Sequence, residues 1–108
     1  MSLFKAFAEP VRLRLLALLS GGREVCVCHL HEALDLPQPT VSRHLAYLRK
    51  SGWVEARKEG LWVHYRLAKS SSILHRHLNF CIETCAEDVV ELRRDRERLA
   101  QVSACCDK

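Results

Sequence analysis

The 108-residue sequence predicts a mainly α-helical fold carrying one small β-hairpin, and three observations lead there. Apolar residues recur every three or four positions through most of the chain, the spacing of one helix face. That period gives way to alternation in one stretch, Trp53 to Leu67. Gly21-Gly22, the two prolines of "DLPQPT" and Ser51-Gly52 then cut the helical part into short pieces. A chain of this length closes one modest core, so residues 1–108 are expected to form a single domain, with a flexible tail from about 103 to 108.

From Leu3 to Leu19 the apolar positions are Leu3, Phe7, Val11, Leu15, Leu18 and Leu19. Pro10 suits the first turn of a helix, which predicts a short helix to about Ala8 and a second from Pro10 to Ser20. The stretch "EVCVCHLHEAL" resumes helical spacing with Val25, Val27, Leu30 and Leu34, and reads as a third helix. A fourth begins at Pro39-Thr40 and carries Val41, Leu45 and Leu48 on one face. Trp53–Lys58 and Leu61–Leu67 then alternate around Glu59-Gly60, which reads as the tight turn of a hairpin. After "AKSSS", where a serine can cap, one long helix is expected from about Ile73 to about Val102.

The formal charge of +4 is unevenly spread. Between Gln38 and Lys69 seven Lys/Arg face two acids, a surplus larger than that of the whole chain. Two short helices joined by a tight turn, the second rich in small polar and basic side chains and followed by a basic hairpin, form the order of a winged helix-turn-helix. In that architecture the second helix enters the DNA major groove with its N-terminal residues against base edges. Those residues are Gln38, Thr40, Ser42, Arg43 and His44, which donate and accept hydrogen bonds. Arg57 and Lys58 are expected near the hairpin tip, where a point charge meets backbone phosphate. Apolar runs are too short to span a bilayer and no leader opens the sequence, so a cytoplasmic location without a membrane partner is expected. There, the six cysteines are thiols available for metal or redox chemistry.

"FKAFAEPVRLRLLALLS" followed by "EVCVCHLHEALDLPQPTVSRHLAYLRKSGWVEARKEGLWVHYRL" resembles the ArsR/SmtB family of metal-responsive winged-helix repressors, specifically its arsenic-responsive branch, over residues 3 to 67. The resemblance implies a homodimer built through the first and last helices. It also implies double-stranded operator DNA as partner, bound until the inducer arrives. Many relatives carry arginine just after the wing glycine, whereas Leu61 follows Gly60 here.

Three sets of residues are candidates for the inducer. Cys26 and Cys28 stand in the family's E-x-C-V-C pattern, and soft thiolates select As(III), Sb(III), Cd or Zn. On a regular helix residues two apart point about 200° apart, so joint chelation is expected to distort the helix ahead of the recognition helix. The alternative is that a buried cysteine is simply a small apolar side chain. His31 occupies the position where arsenic-responsive relatives often have a third cysteine and suits zinc better than arsenic, and His29 reads as solvent-exposed or phosphate-facing rather than as a ligand. Cys105 and Cys106 supply a third sulfur, an independent dithiolate, or only an incidental tail pair. His75, His77, Asp88 and Glu91 match the positions of zinc ligands in zinc-sensing relatives, except that a histidine usually stands where Asp88 lies. Cys81 and Cys85, four apart on one helix, are also spaced to chelate, but read rather as core or interface packing residues.

The leading function is thus a repressor released by arsenite, methylated arsenite or antimonite. The alternatives are a zinc- or cadmium-responsive repressor, or a repressor switched by thiol oxidation. An enzyme is not expected, because no nucleophile stands beside an evident base.

Overall fold

The computed structural model describes residues 5, 7–69, 72–86 and 88–105. Much of the expected opening helix lies outside them. Helix α1 (Pro10–Leu19) starts where Glu9 accepts a hydrogen bond from the Arg12 backbone N–H at 3.0 Å, with Pro10 supplying the preset φ of a first turn. Its last five residues, Leu15 to Leu19, are all buried.

Chain order then departs from expectation. Val25–Cys26 is a strand, β1, and helix α2 (Val27–Leu34) begins only after Cys26, which occupies its N-cap. Helix α3 (Gln38–Lys50) follows and buries Val41, Leu45 and Leu48. It ends in a Schellman motif, in which the Trp53 N–H reaches the Leu48 carbonyl at 2.9 Å and the Gly52 N–H reaches Arg49 at 3.2 Å, with Gly52 at φ +85°. That turn drops the fully buried Trp53 into the core and launches β2 (Val54–Glu59). β3 (Trp62–Leu67) returns antiparallel, Glu59 opposite Trp62. The hairpin loop is therefore Gly60-Leu61, one residue later than the Glu59-Gly60 turn read from the sequence. Gly60 at φ +62° takes the first loop position, which L side chains avoid.

The expected hairpin is in fact a three-stranded sheet, ordered β1-β3-β2. Val25 pairs with Tyr65 and Cys26 with His64. Alternation assigns Val25, Tyr65 and Ala56 to one row and Cys26, His64 and Arg57 to the next, with side chains on opposite faces.

The single long helix expected from Ile73 is two helices, α4 (Ile73–Cys85) and α5 (Val90–Cys105). After the break the second helix begins with the Arg93 N–H reaching the Val89 carbonyl at 3.0 Å. Ile82 and Ala86 before the break, and Leu92 and Leu99 after it, enter the same core. Arg14 ties the layers together. Its guanidinium donates to both oxygens of the buried Asp95 on α5, at 2.8 and 3.0 Å, and to the Leu34 carbonyl at the end of α2, at 3.1 Å.

Candidate functional site

Cys26 and Cys28 come together without any helix distortion, which corrects the expectation based on a regular helix. Because Cys26 is extended (φ −71°, ψ 144°) and Cys28 lies in the first turn of α2, the 200° divergence does not arise, and the two Sγ atoms are 3.0 Å apart. The alternation of "EVCV", with its β-branched residues, carried a strand signal that the helical spacing of Val27, Leu30 and Leu34 masked. Neither cysteine is in a disulfide.

The pair opens into a cleft between one face of the sheet and helices α2 and α5. Period two places Glu24 and Cys26, then Trp62 and His64, then Arg57 and Glu59 on that sheet face. Cys28, His29, His31 and Glu32 line it from α2, and Leu99 and Ala100 from α5. Two of these side chains are held by others on the sheet. His64 Nε2 lies 3.5 Å from Glu59, and Arg57 binds Glu24 through two contacts of 2.7 and 3.1 Å. The Arg57 hydrogen bond lowers the Glu24 carboxyl below the ordinary carboxylate range and raises the Arg57 guanidinium. Glu24, His64 and Trp62 went unnoticed in the sequence because only the pairing of β1 with β3 brings them to the cysteines.

His31 lines the cleft but is committed to its own turn. Its Nδ1 is 3.2 Å from the Leu36 carbonyl, while its own carbonyl accepts from the Leu36 N–H at 3.1 Å. Asp35 makes that turn in the left-handed region, φ +58°, which aspartate tolerates better than most residues. Among the described residues, no three His, Cys, Asp or Glu side chains converge as a metal cluster.

The four-residue zinc spacing is not brought together within the chain. His75 is fully buried and edge-on to Trp53, ring centroids 4.3 Å apart, and burial lowers its imidazole below the ordinary 6.5. His77 is exposed, and Asp88 and Glu91 are exposed at the start of α5. Cys81 is exposed on α4, so it is not part of the core of the chain. Cys105 ends α5, six positions beyond the cleft residue Leu99, and Cys106 lies outside the described residues.

On α3, Gln38 and Arg43 are exposed and Thr40 and Ser42 partly so, around a helix N-terminus whose first N–H groups have no side-chain cap. His44 turns instead toward Glu9, 3.8 Å away. Lys58 is exposed, whereas Arg57 is not at the hairpin tip and is occupied by Glu24.

Residues 9–56 match the family described as bacterial regulatory protein, arsR family. The arsenical resistance operon repressor of Escherichia coli (strain K12) is 56% identical over 66 residues, 61% of this chain and 56% of that protein, so the chain spans about half of that relative. The arsenic resistance transcriptional regulator ArsR2 of Pseudomonas putida is 35% identical over 108 residues, 95% of this chain and 94% of that one. The solved structure of HlyU from Vibrio cholerae superposes with a TM-score of 0.68 at 35% identity, covering 77% of this chain and 86% of HlyU.

Proposed function

The chain belongs to the arsR family of bacterial regulatory proteins, and from that premise we propose that it is a transcriptional repressor that holds operator DNA as a homodimer and lets go when Cys26 and Cys28 capture trivalent arsenic or antimony. The observation that carries the inducer half is the 3.0 Å approach of two thiols facing an open cleft. Thiolates suit these soft ions, and the pair requires no prior rearrangement.

Operator contact is assigned to Gln38, Thr40, Ser42 and Arg43 at the start of α3, supported by an uncapped helix N-terminus that favours phosphate. His44 contributes at the edge of this set, and Lys58 adds a phosphate contact from the hairpin. Arg57 serves there only if it leaves Glu24. The homodimer is supported by α4, where Ile73 and Phe80 are 67% and 69% exposed, apolar surface that a second copy covers. Release follows from where the thiols sit. β1 is stitched to β3 by strand pairing and to β2 by Glu24–Arg57, so constraining Cys26 and Cys28 moves the wing sheet against α2, which packs beside α3. A coupling of about 3 kcal/mol between inducer and DNA weakens operator binding roughly a hundredfold.

The same sulfur separation favours a second reading, a dithiol switch in which hydrogen peroxide removes two electrons and two protons to form a Cys26–Cys28 disulfide and two waters. Under the arsenic reading Cys105 or Cys106 supplies a third sulfur to the site. Zinc or cadmium remains the inducer to exclude. The deciding experiment is operator release from the Cys26→Ser, Cys28→Ser double variant. Repression should persist while arsenite and antimonite lose their effect. Normal release by arsenite from that variant overturns the assignment, and release of the wild type by zinc alone transfers it to a zinc sensor.

A further inference from the structure

Strand pairing sets an imidazole directly opposite one of the two thiols. Cys26 on β1 and His64 on β3 are register partners, so their side chains leave the same face of the sheet, and both line the cleft. Partners of this kind have Cβ atoms about 4.5–5.5 Å apart, a span that an imidazole and a thiol close between them. His64 is held from its other side. Its Nε2 lies 3.5 Å from the Glu59 carboxylate, which favours a proton on Nε2 and leaves Nδ1 as the acceptor. Glu59 is in turn 3.4 Å from Arg57, which binds Glu24. Glu24, Glu59 and Arg57 together carry one net negative charge, which an imidazolium cancels. Cys26 itself stands at the N-cap of α2, the helix end that favours an anion.

From this we infer that His64 is the proton carrier of the capturing thiol, taking the Cys26 proton as the sulfur attacks and returning it to the group that leaves, while Glu59 orients the ring. The inference deepens the reading of Cys26 as a capture residue and concerns this one sulfur, whatever else completes the site. Nδ1 accepts the thiol proton, and a sulfur lone pair forms the S–As bond. As one As–O bond of arsenite breaks, the departing hydroxide takes the proton back from His64 and leaves as water. Arsenic stays trivalent, and the ring is neutral again at the end of the step. Nucleophile, base and orienting carboxylate follow the order in which activated nucleophiles are built. Here the arrangement speeds a binding reaction and not a turnover.

Alkylation of the reduced full chain by iodoacetamide at neutral pH tests this, with Cys26 and Cys28 resolved by fragment mass. His64→Ala should slow the alkylation of Cys26 about tenfold, because a thiol without a base is only a few per cent ionised there, and slow that of Cys28 less. Added imidazole should restore most of the rate of His64→Ala, a rescue that a packing role does not give. His64→Gln keeps the bulk without a basic nitrogen and should be as slow as His64→Ala, whereas Glu59→Gln should lose a smaller part of the rate. Arsenite should reach the same final occupancy on wild type and His64→Ala, but more slowly on the variant. An unchanged Cys26 rate in His64→Ala, a slow rate that imidazole does not move, or a wild-type rate in His64→Gln overturns the proposal. Normal arsenite release of operator from Cys26→Ser, Cys28→Ser overturns the capture reading instead, and the arsenite step with it, while the alkylation rates still decide whether His64 serves the thiol.

Discussion

Glu24 and Arg57 meet across the central strand of the sheet in a two-point ion pair of 2.7 and 3.1 Å, joining the residue two before Cys26 to the hairpin that follows the recognition helix. The pair is largely exposed and contributes little to stability, so its importance is positional. Arg57→Ala should leave thermal unfolding nearly unchanged and raise the arsenite concentration needed for operator release, because the thiol segment loses one of its ties to the wing. The charge-swapped Glu24→Arg, Arg57→Glu protein should recover the wild-type response. A swap that stays as insensitive as the single variant would refute the linkage. Since Arg57 holds Glu24 below its ordinary 4.5, the pair persists at neutral pH and is lost only as pH falls through that lowered value.

The two hairpin cations are expected to differ in phosphate contact. With Arg57 bound to Glu24 and Lys58 exposed, Lys58→Ala should reduce the slope of log affinity against log salt by about one, and Arg57→Ala by clearly less. Equal changes would mean that Arg57 leaves Glu24 on the operator.

At the base of α3 the exposed Arg43 is the side chain best able to reach a base edge. Arg43→Ala should weaken operator binding by about 1–3 kcal/mol with arsenic capture unaltered, measured by calorimetry of the free protein. Loss of both would indicate a folding defect instead.

Arg14 and Asp95 form the charged joint of the core. Asp95 is 5% exposed at its side chain, so Asp95→Ala strands a guanidinium that also serves the Leu34 carbonyl. Unfolding by urea should show a loss of about 2–4 kcal/mol, and Arg14→Met, which removes the charge along with its need for a partner, should cost less in the Asp95→Ala background than alone. Additive losses would show that the two residues act separately.

Burial of His75 has a pH signature. Its folded-state pKa lies below the ordinary 6.5, so the unfolded chain binds the proton first. Stability should therefore be full above 6.5 and fall as pH drops through and below it, by at most about 1.4 kcal/mol per pH unit. The ring packs on Trp53, and His75→Gln should lower stability at neutral pH but flatten this dependence between pH 5 and 7 by about one proton's worth. An unchanged slope would place the titration elsewhere.

What the sequence determined by itself is local. Helix starts at Pro10 and Gln38, the stop at Ser51-Gly52, the alternation of the hairpin and the polar opening of α3 all follow from neighbouring residues, and each recurs in the structure within a residue or two. The close spacing of two cysteines was equally legible. Tertiary structure decided the rest, through contacts between residues far apart in the chain. Pairing of Val25 and Cys26 with Tyr65 and His64 turned an apparent helix start into an edge strand, and with it converted two diverging thiols into a facing pair. The same pairing delivered Trp62 to the cleft and gave Arg57 to Glu24 rather than to the hairpin tip. Core packing divided the last helix at Asp88 and buried His75. The physical reason is that helix periodicity and strand alternation coexist in "EVCVCHLHEAL", and only a hydrogen-bonding partner forty residues away settles which one the backbone of Cys26 obeys.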